Sequence, residues 1–143
     1  MPLVTGRNPN MASSGLLLPV IAAPSKPIVD MLKNEGKETP KPIELIALVD
    51  TGATRTVVRT GTCSKLGLVP KNRLQMFTAG IPCFVDEFDI SLSFPMLKMG
   101  IPTIFIIEAP LEGQNISCLI GRDLLSRGML VYNGIDSSFT LGF

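Results

Sequence analysis

Hydrophobic positions in this chain fall in short blocks broken by Gly and Pro, and the clearest block repeats every second residue. In Val85–Phe94, Phe88, Ile90, Leu92 and Phe94 lie on one side and Glu87, Asp89, Ser91 and Ser93 on the other. That alternation predicts a strand with one buried face. Arg73–Phe77 can pair back on it across Thr78-Ala79-Gly80-Ile81-Pro82 as a hairpin. Leu16–Ala23 reads as a first strand. Ile43–Val49 (IELIALV) is a nearly continuous apolar run and predicts a strand buried on both faces; Pro102–Glu108 (PTIFIIE) predicts another buried strand. Shorter strands are predicted at Thr56–Val58, Ile116–Ile120, Met129–Tyr132 and Ser138–Leu141, the last two flanking the turn pair Asn133-Gly134. Helical signals are few. Ser25 as a cap, Pro27 in the first turn, Ile28, Met31 and Leu32 as an apolar face and Gly36 beyond the end predict one short helix. Cys63–Leu66, closed by Gly67, and Asp123–Arg127, stopped by Gly128, each predict about one more turn. With 13 Gly and 12 Pro as punctuation, the pattern is that of an all-β domain.

Composition narrows the function. A chain of 143 residues suggests one domain, here residues 15–143 behind a disordered lead-in at 1–14. It is 45% hydrophobic and only 17% charged, against about 25% charged in ordinary soluble domains. Mean hydropathy is +0.37. A membrane-spanning helix needs about 20 consecutive apolar residues. The best run, Leu16–Ala23, is far shorter and broken by Pro19, so no membrane span is expected. The apolar excess points instead to surface hidden between subunits. Arg7 followed by Leu16–Ala23 gives only a thin likeness to a signal peptide, interrupted by Pro19 and Pro24. A cytoplasmic location is expected, and three cysteines (Cys63, Cys83, Cys118) without a CxxC pair read as reduced, buried thiols. A net charge of +1 without a basic stripe argues against nucleic acid. The chain has no histidine, so Ser-His and Cys-His nucleophiles and His-containing zinc sites cannot be built. No metal and no cofactor is expected; chemistry must rest on carboxylates, Lys, Arg, Tyr or thiols.

The informative site is Leu48-Val49-Asp50-Thr51-Gly52-Ala53. A carboxylate directly after so apolar a run is costly unless hydrogen-bonded. Thr51 offers a hydroxyl, and Gly52 permits unusual backbone angles and close approach. An Asp-Thr-Gly arises by chance in roughly 3% of chains this long, so it needs support from elsewhere. That support is Cys118-Leu119-Ile120-Gly121-Arg122-Asp123-Leu124-Leu125, an apolar strand running into Gly-Arg and a short helix. In order and spacing the two segments resemble the retropepsin family, the single-domain aspartic proteases of retroviruses and their chromosomal relatives. Arg59–Pro70 and the stretch from Tyr132 to Leu141 look like the bacterial branch. The resemblance implies a closed all-β barrel, half of an acid-protease unit, with one or two short helices and a two-fold homodimer. It implies Asp50 as the catalytic acid/base, Thr51 tying two loops together, Gly52 placing a backbone N–H against the carboxylates, and Ala53 beside the substrate backbone. It puts a flap over the site around Thr78, Ala79, Gly80 and Ile81. Gly121, Arg122 and Asp123 would form a structural clamp. Viral members usually carry Asp where this chain has Thr54, so Arg122 needs another partner, a backbone carbonyl or Asp123.

Elementary chemistry agrees. Hydrolysis of a peptide bond by carboxylates needs two of them in contact, sharing one proton and so dividing into acid and base. One Asp-Thr-Gly supplies half of that site, and a second Asp50 would come from a twin chain across a two-fold axis. Asp123 is the residue most easily mistaken for the missing partner, but its place at a helix start favours a stabilising role. The expected function is a homodimeric aspartic endopeptidase acting on a peptide or protein substrate. The alternative is a non-catalytic dimerisation or peptide-binding module on the same fold; a thiol enzyme would lack a base. The interface is expected to include the Asp50–Ala53 loop and the strand Ser138–Phe143. There Phe139, Leu141 and Phe143 make an apolar face with no evident place in a monomer.

Overall fold

The computed structural model describes all residues except 112 and 114. In chain order the elements are β1 (Leu3–Arg7), α1 (Met11–Ser14), β2 (Leu17–Pro24), α2 (Lys26–Asn34), β3 (Ile43–Val49), β4 (Val57–Arg59) and α3 (Thr62–Lys65). There follow β5 (Asn72–Thr78), β6 (Ile81–Phe94), a 3-10 turn at Pro95–Leu97, β7 (Met99–Ala109), β8 (Cys118–Ile120), α4 (Arg122–Leu125), β9 (Met129–Asn133) and β10 (Ser138–Gly142). One sheet runs β2-β3-β8-β4-β7-β6-β5, and an added β2–β6 pairing closes it on itself. Closure removes free edges from the six barrel strands. β5 stays outside the closed circuit, paired to β6 alone. A second sheet, β1-β10-β9, is antiparallel throughout.

Alternation explains the core. Val20 and Ala22 of β2, Ala47 of β3, Val58 of β4, Leu92 and Phe94 of β6, Ile106 of β7 and Ile120 of β8 are fully buried inside the barrel. Each large aliphatic side chain among them stabilises the fold by roughly 1.5–3 kcal/mol through removal of apolar surface from water. Phe94 also meets Phe143, with ring centroids 5.2 Å apart, joining the barrel to the second sheet.

Several expectations need correction. Residues 1–14 are not a lead-in: β1 pairs with β10 from Leu3↔Gly142 to Arg7↔Ser138, and Met11 of α1 is buried. Consequently β10 is the middle strand of its sheet, and Phe139 and Leu141 are buried within their own chain. The apolar face of Ser138–Phe143 therefore has a place in the monomer. β3 is not buried on both faces, because Glu44 and Ile46 are exposed. Conversely, the polar face of β6 is partly interior, with Glu87 and Asp89 buried. Ser25 stands before α2, but its hydroxyl makes no capping bond and is buried unpartnered; its carbonyl instead accepts from Val29 N–H at 3.0 Å. Among the described residues there are four short helices, α1 being one that the sequence pattern does not predict, and only α2 exceeds four residues. None is long and apolar enough among the described residues to cross a membrane.

Candidate active site

β3 delivers Asp50 to the site. It runs parallel to β8, Val49 opposite Ile120, and the ladder ends where Asp50 N–H donates to the Ile120 carbonyl at 3.0 Å. There the chain turns, with Ala53 N–H on the Asp50 carbonyl at 3.2 Å. Gly52 N–H donates to Asp50 Oδ1 at 2.8 Å, which fixes the direction of the carboxylate. A side chain at Gly52 would bring a Cβ within 3.1 Å of that same oxygen, so glycine keeps the contact short. Asp50 is half-buried, and Thr51 and Gly52 are exposed.

The loop is held from beneath by the second segment. Arg122 N–H bonds the Ala53 carbonyl at 2.9 Å, Nη1 the Thr51 carbonyl at 2.8 Å and Nη2 the Thr54 hydroxyl at 3.2 Å. Gly121 lies against Arg55: an added Cβ would sit 2.5 Å from the Arg55 carbonyl carbon and oxygen. Asp123 spends its carboxylate on structure. Oδ2 accepts from Thr56 N–H at 2.8 Å, and Oδ1 from the Thr56 hydroxyl at 2.7 Å and Leu124 N–H at 2.9 Å. Arg55 Nε stands 3.8 Å from Asp123 Oδ2, and Arg55 Nη2 pairs with Glu87 at 2.5 Å.

A cleft of about 570 Å³ runs from this loop to the β5–β6 hairpin. Gly52, Ala53, Thr54 and Arg55 form one end; Met76, Phe77, Thr78, Cys83, Phe84 and Val85 come from the hairpin; Val57, Ile107, Ala109 and Pro110 complete it. Of the four residues expected in the flap, Thr78 lines the cleft. Ala79 and Gly80 form the two-residue tip, with φ of 49° and 80°, and Thr78 pairs with Ile81 across it. Positive φ at both central positions is the turn whose twist matches a tight hairpin. Ile81 begins the return strand and is exposed. Sequence reading missed Met76, Phe77, Cys83, Phe84 and Val85 as cleft residues. Their signal was an apolar content too high for a free-standing hairpin.

Three ionisable groups around the site, Glu87, Cys63 and Cys118, are engaged or buried. Burial tends to raise the Glu87 carboxyl, but hydrogen bonds from Arg55 and Asn72 and the Arg55 charge outweigh it and hold Glu87 below its ordinary value. The thiols of Cys63 and Cys118 are fully buried. Desolvation, with Glu108 beside the first and Asp123 acting on the second, pushes both up, Cys118 to about 12. Neither is a nucleophile at neutral pH, since the reactive form is the thiolate.

Neither a protein-family model nor a curated protein matches the chain. Among solved structures it is similar to a retropepsin-like aspartic protease from Rickettsia conorii, at 18% identity and a TM-score of 0.50, over 88% of this chain and 91% of that one. The fold is retropepsin-like. A second similar structure is the retroviral protease-like domain of Ddi1 from Leishmania major, at 16% identity and a TM-score of 0.48, over 88% of this chain and 86% of that one.

Proposed function

We propose that the protein is a homodimeric aspartic endopeptidase whose single active site is shared by two chains. The observation that carries this reading is Asp50 itself. Its carboxylate is aimed by Gly52 N–H at the end of a barrel strand, beside a cleft lined on its other side by a hairpin. The other acids around the loop, Asp123 and Glu87, are committed to Thr56 and Arg55. A second reactive carboxylate therefore comes from a second copy, and the exposed Thr51-Gly52 edge offers the surface for it. Two-fold pairing of identical loops is isologous and needs no other partner.

In this reading the two Asp50 side chains share one proton. The ionised one accepts a proton from water, whose oxygen attacks the scissile carbonyl carbon, while the other donates to the carbonyl oxygen. The tetrahedral intermediate collapses with cleavage of the C–N bond: the departing nitrogen takes the proton that the first carboxylate accepted from water, and the second carboxylate recovers the proton it gave to the carbonyl oxygen. Thr51 ties the paired loops together, Ala53 lies along the substrate backbone, and the hairpin closes over an extended peptide. The test is hydrolysis of an unfolded protein or a peptide library between about pH 3 and pH 7, with Asp50→Asn as control. Cleavage by the wild type and at least a hundredfold loss in the variant, with its assembly unchanged, support the proposal. A folded, dimeric wild type that cleaves nothing would support the non-catalytic module instead.

A further inference from the structure

The hairpin that lines the cleft leaves the barrel at one residue. β6 pairs with β7 from Phe94↔Met99 up to Glu87↔Ile107. Beyond Glu87, towards the tip, β6 pairs with β5 alone, starting at Asn72↔Glu87. Glu87 is therefore both the last barrel residue and the first hairpin residue. Its groups are used accordingly. The backbone carbonyl accepts from Lys71 N–H at 2.7 Å, Oε1 from Asn72 Nδ2 at 2.8 Å, and Oε2 from Arg55 Nη2 at 2.5 Å. Arg55 lies two residues past the catalytic loop and also donates to the Phe105 carbonyl of β7 at 3.1 Å. The pair is largely shielded, with side-chain exposures of 26% for Arg55 and 11% for Glu87.

Resting on the endopeptidase reading, we infer that Glu87 is a positioning residue. Clamped by Arg55 and Asn72, it pins the root of the β5–β6 hairpin to the catalytic loop and so sets the width of the cleft between the hairpin and Gly52–Arg55. A cantilevered two-stranded ribbon has little stability of its own. Without the pin, the hairpin would swing from its root instead of flexing near its tip. Substrate would then lose contacts from the hairpin, while the carboxylate dyad, held by Gly52 and Arg122, would keep its geometry.

The experiment compares Glu87→Gln with wild type in the full-length protein by two readouts. Hydrogen exchange of hairpin amides from Leu74 to Val85 should accelerate about tenfold or more, while amides of Val20 and Ala47 in the barrel accelerate clearly less, by no more than the loss of global stability requires. In peptide hydrolysis, KM should rise several-fold with kcat changed less than about twofold. Unchanged hairpin exchange, or an equal acceleration in the barrel, overturns the inference. So does faster hairpin exchange with an unchanged KM. Should Glu87→Gln fail to fold, Asn72→Ala, which removes one arm of the clamp, should move both readouts in the same direction by less; no movement overturns it. If the wild type cleaves nothing, the endopeptidase reading falls, and hydrogen exchange still decides whether Glu87 anchors the hairpin.

Discussion

Asp123 supports the segment just beyond the Asp50 loop through Thr56, and replacing it separates structure from chemistry. Asp123→Ala removes three accepted hydrogen bonds at once, from Thr56 N–H, the Thr56 hydroxyl and Leu124 N–H. Thr56 is fully buried, so its N–H cannot turn to bulk water. Its hydroxyl already accepts from Gly121 N–H at 3.2 Å and can rotate. The stranded backbone donor dominates the cost. Bonds to a charged group contribute about 1.5–3 kcal/mol each, and an unpaired buried donor costs about 1–3 kcal/mol. Water entering the space left by the carboxylate offsets part of this, leaving a net loss of about 3 kcal/mol. For a chain of this size that is a fall in Tm of roughly 6–12 °C. Circular dichroism at one protein concentration gives the Tm, since a dimer's Tm depends on concentration. Activity is measured well below the transition and should stay within about tenfold of wild type. An unchanged Tm together with loss of hydrolysis as complete as in Asp50→Asn would make Asp123 a chemical group and refute the assignment.

Deleting residues 138–143 removes the middle strand of the second sheet and exposes the surface around Phe94; the expected outcome is an unfolded chain by circular dichroism, not a folded monomer. A well-folded monomer after this deletion would restore the C-terminal strand to an interface role. Stability should also fall in acid. Glu87 has a folded-state pKa below its ordinary 4.5, so its contribution is complete above that value and disappears as pH drops through the depressed one. Asp136 is also held low, chiefly by its hydrogen bond from Ser138, so the readout is the difference between Glu87→Gln and wild type. The Tm of Glu87→Gln should fall less steeply between about pH 5 and pH 3; parallel slopes would contradict the ion pair.

The parts legible in the sequence are those set by local pattern. The run IELIALV into Asp50 gives β3 and the carboxylate at its end, and the spacing gives the hairpin, though its turn is the two residues Ala79-Gly80 and not the five from Thr78 to Pro82, because Thr78 and Phe77 pair with Ile81 and Pro82. What was misread depends on distant partners. The alternation in β6 assigns Glu87 to a solvent face, yet Arg55, 32 residues earlier, draws it inward. LVTGR carries too little apolar pattern to announce β1 as a strand, and without β1 the pattern alone assigns the apolar face of β10 to a second subunit. For Arg122 the sequence reading allows a backbone carbonyl as partner, and the Thr51 carbonyl is one; the Thr54 hydroxyl is what it does not foresee. Both come from a loop that only the β3–β8 ladder brings alongside.

The central claim is that one active site takes Asp50 from each of two chains, and subunit mixing tests it most directly. A fixed amount of wild type is equilibrated with increasing Asp50→Asn, long enough for exchange, and peptide hydrolysis is followed at each ratio. If both carboxylates are required, an equimolar mixture should retain about half the activity of the wild type alone, and a threefold excess of variant about a quarter, because wild-type chains are drawn into inactive mixed dimers. Activity that stays constant at every ratio, with exchange verified by labelled subunits, would contradict a shared site.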